Sequence, residues 1–313
     1  MNIAVITSGG DSPGMNPCLA QIVKYASEKG HTVYGYRRGF LGIRDNDYSK
    51  LEVSDVQGWY KLGGTVLRTG RLPELKEAGI REKLAENLRN NHIDTLIVIG
   101  GDGSFKGALA LHEADSGLNV VGIPGTIDNN IYGSDYTLGF DTALNKQVNY
   151  IDDISDTALS LPGRVFFVET LGAWDGYLTH SSVLMGMADC SVLVEKPMTN
   201  EEICKKVEEV LADPQRDYVL ITFAEGCYQM LEAAEYVREK LHVNLKCNLL
   251  GYQQRGGVPT ARERIHAAGF AKYAVQAADQ GIKNVYVVYK DGQYGYLDLS
   301  CAANKKEFDW FEL

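Results

Sequence analysis

Short, β-branched apolar runs recur along the chain, each followed by a glycine-rich turn or a segment of helical period. Ile3-Ala4-Val5-Ile6 precedes a helical pattern from about Met15 to Lys29, then a strand pattern from His31 to Tyr36. A polar helical segment around Glu74 to Asn90 leads to Thr95-Leu96-Ile97-Val98-Ile99, and a helix after Gly103 leads to Val120-Val121-Gly122-Ile123. Strands apolar at every position are covered on both faces, as in a parallel sheet flanked by helices, so the pattern specifies an α/β fold. A long helix from Asp141 to about Leu159 opens a second series. It runs through strand Val165 to Glu169, helix Gly176 to Gly186, strand Val192 to Glu195, helix Glu201 to Leu211 and strand Tyr218 to Phe223. Two mostly parallel sheets are more favourable than one so wide, and 313 residues supply enough chain for two cores. No Pro/Ser-rich linker separates the halves, so two lobes packed around a cleft are expected.

The formal net charge of -10, with no run of Lys and Arg, argues against nucleic acid or an anionic membrane as partner. A phosphorylated small molecule is compatible, since a few converging basic side chains hold it. Cys18, Cys190, Cys204, Cys227, Cys247 and Cys301 form no C-x-x-C pair, which fits free thiols in a reducing compartment. Met1 to Thr7 lacks a basic leader, and no apolar run approaches the roughly 20 residues that span a bilayer. A soluble cytoplasmic protein is expected.

Three glycine-rich segments each follow a predicted strand: Ser8-Gly9-Gly10-Asp11, Gly100-Gly101-Asp102-Gly103-Ser104, and Pro124-Gly125-Thr126-Ile127-Asp128-Asn129-Asn130. In a parallel sheet they gather at the carboxyl ends of the strands, where such folds bind ligands. Glycine lets backbone N–H groups approach phosphate oxygens, and a following helix adds its positive end. Each loop alone also reads as a tight turn capping a helix, with Asp128 in an Asx-turn and Asp102 as an N-cap. Neither a Walker loop nor the dinucleotide fingerprint is present.

The runs Thr7 to Asn16 (TSGGDSPGMN), Gly100 to Ser104 (GGDGS), Pro124 to Asn129 (PGTIDN), Gly139 to Asn145 (GFDTALN), Ala224 to Gly226 (AEG) and Gln254 to Gly257 (QRGG) resemble the bacterial ATP-dependent 6-phosphofructokinase family, in order, over nearly the whole chain. The resemblance implies a two-lobed fold, residues 1–137 plus 251–300 binding ATP and 138–250 plus 301–313 binding sugar. It implies Asp128 as the base for the C1 hydroxyl of fructose 6-phosphate, Thr126 positioning it, and Asp102 holding Mg²⁺. Gly10, Arg71, Leu72, Gly101, Asp102, Gly103 and Ser104 would line ATP, Arg71 also facing the transferred phosphoryl group. Thr126, Ile127, Asp128, Arg164, Leu171, Gly172, Ala173, Glu225, Lys246, Tyr252 and Arg255 would line the sugar, with Arg164 reaching across from a neighbouring subunit of a homotetramer. Pyrophosphate-using members carry Asp where Gly103 stands and Lys where Gly125 stands. A carboxylate at 103 would crowd and repel the α-phosphate, so ATP is the expected donor.

The chain departs from the family pattern around the sugar's 6-phosphate. Tyr252 replaces a histidine, Lys246 an arginine and Ala173 an arginine, while Asn130 replaces an aspartate beside the metal. Lys246 keeps a charge but loses the bidentate fork. A different 6-substituted ketose such as a 6-sulfonate, a heptulose phosphate, or a catalytically weak nucleotide-binding paralogue are the alternatives. The family's effector site is also altered, with Leu19, Val23, Asp217 and Tyr218 at basic positions and Cys190 for a glutamate, so little response to ADP or phosphoenolpyruvate is expected.

Overall fold

Residues of the first apolar run form β1 (Asn2–Thr7), followed by α1 (Met15–Glu28), β2 (Thr32–Tyr36), α2 (Phe40–Asp45) and β3 (Tyr48–Leu51). The chain continues through α3 (Ala78–Asn90), β4 (Thr95–Gly100), α4 (Asp102–Ala114), β5 (Asn119–Thr126), β6 (Leu138–Gly139) and α5 (Phe140–Leu159). Then come β7 (Arg164–Thr170), α6 (Tyr177–Leu184), β8 (Cys190–Val192), α7 (Asn200–Leu211), β9 (Tyr218–Ala224), α8 (Met230–Leu241) and β10 (Asn244–Leu249). Finally α9 (Ala261–Asp279) leads to the hairpin β11 (Val285–Lys290) and β12 (Gln293–Asp298). This computed structural model describes residues 1–308.

The described residues divide into two compact units, Met1–Thr142 with Arg255–Glu307, and Ala143–Gln254 with Phe308. The first is built on a sheet of order β12-β11-β5-β4-β1-β2-β3, with β6 added beside β5. Its interior pairs are parallel, while β3 and β12 close the edges antiparallel. Alternation sends Ile3, Val5, Ile97, Ile99, Val121 and Ile123 to one face, against α1 and α9. Ala4, Ile6, Leu96, Val98 and Val120 pack on the other with Phe105, Leu84 and Ile43. Both faces being covered explains why these strands are apolar throughout.

The second unit holds the parallel sheet β10-β7-β9-β8. Val165, Phe167, Val219 and Ile221 bury against α7 and α8 on one face, and Phe166, Val168 and Leu220 against Ile151 and Ala158 of α5 on the other. The strand predicted over Val192 to Glu195 is instead β8. It pairs only with Ile221–Phe223, and Glu195 turns to accept the Gly176 N–H at 3.0 Å.

Side-chain bonds decide where the chain passes from one unit to the other. Glu263 accepts the N–H groups of Gly139 and Thr142, keeping residues 138–142 with the first unit, where the resemblance placed them in the second. Gln254 donates to Gln147 and accepts from Leu171, keeping 251–254 with the second. Residues 301–307, expected with the sugar lobe, fall in the first unit because Leu299, Cys301 and Ala302 pack onto the Phe105 and Tyr286 cluster. Of the C-terminal aromatics, Phe308 stacks on Tyr177 at 4.4 Å. Trp310 and Phe311 lie outside the described residues. All six cysteines are free, and no helix among the described residues is long and apolar enough to cross a membrane.

Candidate active site

The three glycine-rich loops leave the carboxyl ends of β1, β4 and β5, which are neighbours in the order β5-β4-β1. The loops touch. The Ser8 N–H donates to the Ile99 carbonyl at 2.9 Å. A Cβ on Gly9 would sit 3.3 Å from Ser104 Oγ, and one on Gly101 would sit 4.0 Å from the Thr126 Cβ. Around Gly103 the space is open, with nothing within 4 Å of a Cβ. An ATP donor requires an absent side chain at this position.

Gly101 is the N-cap of α4, so Asp102 opens the helix instead of capping it. Its Oδ1 accepts the Gly103 N–H at 2.6 Å and its Oδ2 lies 3.0 Å from Lys106 Nζ, leaving the carboxylate exposed at the helix's positive end. On the third loop Thr126 Oγ1 accepts the Asp128 N–H at 3.2 Å, and the Thr126 carbonyl accepts from Thr137 Oγ1 at 2.7 Å. Ile127 is buried, and Asn129 adopts a left-handed φ of 53°.

Residues 62–72 are tied to the same end of the sheet. Asn16 donates to the Gly63 carbonyl at 3.0 Å and accepts the Val66 N–H at 2.8 Å, while Thr7 Oγ1 donates to the Arg68 carbonyl at 3.0 Å. Leu72 anchors this segment in the core and Arg71 is exposed beside it. Arg255, expected at the sugar's phosphate, is paired with Asp11 at 2.6 Å, its guanidinium 2.8 Å from where a Cβ on Gly10 would lie. The first unit thus gathers Gly10, Leu72, Gly101, Asp102, Gly103, Ser104, Thr126, Ile127, Asp128 and Arg255 at one end of its sheet.

In the second unit Leu171, Gly172 and Ala173 follow β7 and Glu225 follows β9, its neighbour. Gly226 N–H donates to the Gly172 carbonyl at 3.1 Å and Leu171 N–H to Gln254 Oε1 at 2.7 Å. Burial, and then the neighbouring Glu225, push the Glu169 carboxyl above the usual range, so two carboxylates share this strand end. Tyr252 is 79% exposed. Arg164 opens β7 and Lys246 stands opposite Phe166 near that end. The 7-residue strand spans about 23 Å at roughly 3.3 Å per residue, so Arg164 and Leu171 of one chain lie far apart.

Near Cys190, a cavity of about 270 Å³ is lined by Asp189, Lys206, Glu209, Val210, Asp213 and Arg216. Arg216 pairs with Asp189, whose side chain is 7% exposed. Three carboxylates against two cations make this a poor anion site. Asp11, Gln147, Gln254 and Lys306 carry no role implied by the resemblance, although Asp11 and Gln254 fall inside its motif runs.

A protein-family model described as Phosphofructokinase matches residues 2–278. The chain is 38% identical over 310 residues to an ATP-dependent 6-phosphofructokinase of a Sulfurihydrogenibium species, covering 97% of this chain and 94% of that one. It is 40% identical over 307 residues to the protein of that name from a Sulfurovum species, covering 97% and 93%. Among solved structures, phosphofructokinase from Saccharomyces cerevisiae superposes with a TM-score of 0.88 at 29% identity, over 96% of this chain but only 45% of the yeast chain. A pyrophosphate-dependent phosphofructokinase from Marinobacter aquaeolei shares the fold, with a TM-score of 0.87 at 20% identity over 98% and 85%. The order of its loops, the fold they sit on and these likenesses agree: the chain belongs to the phosphofructokinase family.

Proposed function

We propose that the chain transfers the γ-phosphoryl group of ATP to the C1 hydroxyl of fructose 6-phosphate, yielding fructose 1,6-bisphosphate and ADP. The convergence of three glycine-rich loops at adjacent strand ends, with Asp128 on the third, is the observation that carries this reading. The name shared by the curated relatives supports the donor and the acceptor.

In this reading Gly10, Leu72, Gly101, Gly103 and Ser104 border ATP, and the open space at Gly103 accommodates phosphate where a carboxylate would repel it. Asp128, with its backbone fixed by Thr126, accepts the proton of the attacking hydroxyl, and Arg71 meets the charge on the transferred group. No cluster of three His, Cys, Asp or Glu side chains suited to a metal forms among the described residues. A Mg²⁺ ion held mainly by phosphates and water needs only one or two carboxylates, and the exposed Asp102 offers one. Held there, the ion would supply positive charge against the phosphates. Leu171, Gly172, Ala173 and Glu225 hold the ketose, with Tyr252 and Arg255 toward its phosphate. Arg164 and Lys246, at the far strand end, serve a neighbouring protomer of a homotetramer.

The test is ADP release from MgATP with fructose 6-phosphate, set against ketoses bearing a sulfonate or other group at C6, and a heptulose phosphate. Asp128→Asn is expected to lower kcat by about 10²–10⁴ while KM values stay within a few-fold. Unchanged turnover by that variant, or a strong preference for another ketose, contradicts the proposal. Sedimentation at assay concentration tests the assembly, and a fully active monomer would refute it.

A further inference from the structure

The last described residues return to the loop that carries Asp128. The turn at Leu299–Ala303 is anchored by Leu299 and Ala302, 1% and 4% exposed. Beyond it Lys305 bridges Ile131, and Lys306 Nζ donates to two backbone carbonyls, those of Asn129 and Ser134, each at 2.8 Å. Both acceptors lie on the segment from Asp128 to Tyr136, so one ammonium group closes that loop upon itself. The first carbonyl belongs to the residue next to Asp128, and this residue holds the left-handed φ of 53° that turns the chain. That conformation is tolerated by Asn but seldom adopted, and it persists where neighbours hold it.

The rest of the loop is also fastened. The Asn129 amide donates to the Asp135 carbonyl at 3.1 Å, the Asp135 N–H to the Tyr289 carbonyl at 2.7 Å, and the Tyr286 hydroxyl to the Tyr132 carbonyl at 2.9 Å. The first bond ties Asn129 across the loop to Asp135, and the other two hold the loop's middle and far side to β11. Lys306 reaches the near side, one residue from Asp128, and its bonds are charge-assisted and hence the stronger kind. Lys306 lies beyond residues 2–278 matched by the family model.

We infer that Lys306 is a positioning residue: its ammonium clamps the Asn129 and Ser134 carbonyls and so fixes the backbone on which Asp128 is presented. The inference rests on Asp128 being the proton acceptor. A displacement of about 1 Å at a reacting group costs up to roughly 100-fold in rate. Lys306→Met is therefore expected to lower kcat about 10- to 100-fold with KM for ATP nearly unchanged, and Lys306→Arg to recover most of it.

Amide exchange over residues 128–135 supplies a readout independent of turnover. Lys306→Met should speed exchange there and leave β4 and α4 protected. Unchanged kcat in Lys306→Met, or unchanged exchange in the loop, overturns the inference. A lower kcat accompanied by faster exchange throughout the first unit also overturns it, because the tail would then be a general stabiliser. If loop exchange quickens but Asp128→Asn turns over normally, the clamp stands as structure, and the Asp128 reading and the positioning role both fall.

Discussion

Replacing Glu263 by Gln isolates a buried charge that the fold has placed where α5 begins. Glu263 is 0% exposed and accepts the Gly139 N–H at 2.7 Å, the Thr142 N–H at 3.3 Å and the Thr142 hydroxyl at 3.1 Å. Burial pushes its carboxyl up from 4.5 to about 7, these donors pulling only part of the way back. Because the folded value is the higher, the folded state retains a proton that the unfolded chain has lost. The contribution to stability is whole below pH 4.5 and disappears as pH rises through 7. About 2.5 pH units at 1.36 kcal/mol each give roughly 3 kcal/mol. His266, one turn along and stacked on Tyr136 at 3.9 Å, works in the opposite direction. Burial, then the Arg262 charge, lower it from 6.5 to about 4, so its contribution is whole above 6.5 and is lost as pH falls through 4. From these two groups the wild type should be nearly level between pH 4.5 and 6.5 and decline above. Glu263→Gln should instead keep rising to pH 6.5 and then level off, gaining about 3 kcal/mol on the wild type between pH 4.5 and 8. Urea denaturation at half-unit pH steps and fixed salt measures this. Parallel curves for the two proteins would refute the reasoning.

Gly103→Asp places a carboxylate in the open space beside the glycine-rich loops proposed to border ATP. At about 5 Å and an effective dielectric of 20 the repulsion is about 3 kcal/mol, so KM for ATP should rise on the order of 100-fold, read by steady-state kinetics with pyrophosphate as the comparison donor. In Gly63→Ala a Cβ would stand 2.2 Å from the Gly257 carbonyl, backbone against backbone. The variant should lose about 1–3 kcal/mol and bind sugar phosphate more weakly through the nearby Arg255, and an unchanged melting temperature would contradict this. Velocity against fructose 6-phosphate should be hyperbolic and unmoved by ADP or phosphoenolpyruvate. A sigmoidal curve shifted by either ligand would show that the altered effector residues still respond.

What could be read in advance was local. Val5, Ile97 and Val121 announce interior parallel strands because both faces of their sheet are covered, and the glycine-rich loops announce themselves because backbone must lie bare at the strand ends. β10 was missed. Its alternation of exposed Asn244 and Lys246 with buried Leu245 is brief and belongs to an edge. α9 is obscure for another reason: Ala267, Ala271, Ala274, Ala277 and Ala278 bury much of its circumference, so no narrow apolar stripe marks it. The hairpin β11–β12 carried a usable signal in Asp291-Gly292, both at positive φ, as a two-residue turn requires. At the site, the pairing of Arg255 with Asp11 joins residues 244 apart, and that of Lys306 with Asn129 residues 177 apart. No pattern of period 2 or 3.6 encodes such partners.

The first unit is written in two pieces, with residues 143–254 between them. On a ribosome, therefore, β1, β4 and β5 emerge long before α9, whose Phe270 and Ala274 complete the apolar layer over Ile3 and Ile97. At about 5–20 residues per second, the stretch from the end of β5 to the end of α9 takes roughly 8–30 seconds to make, and through that time α1 alone covers this face. The inserted unit, continuous but for Phe308, has all its strands within one stretch of chain and is ready to fold first. The nascent protein should accordingly mature from the middle outward, with its glycine-rich loops the last to be set, and chaperone demand should be greatest while residues 143–254 are being made.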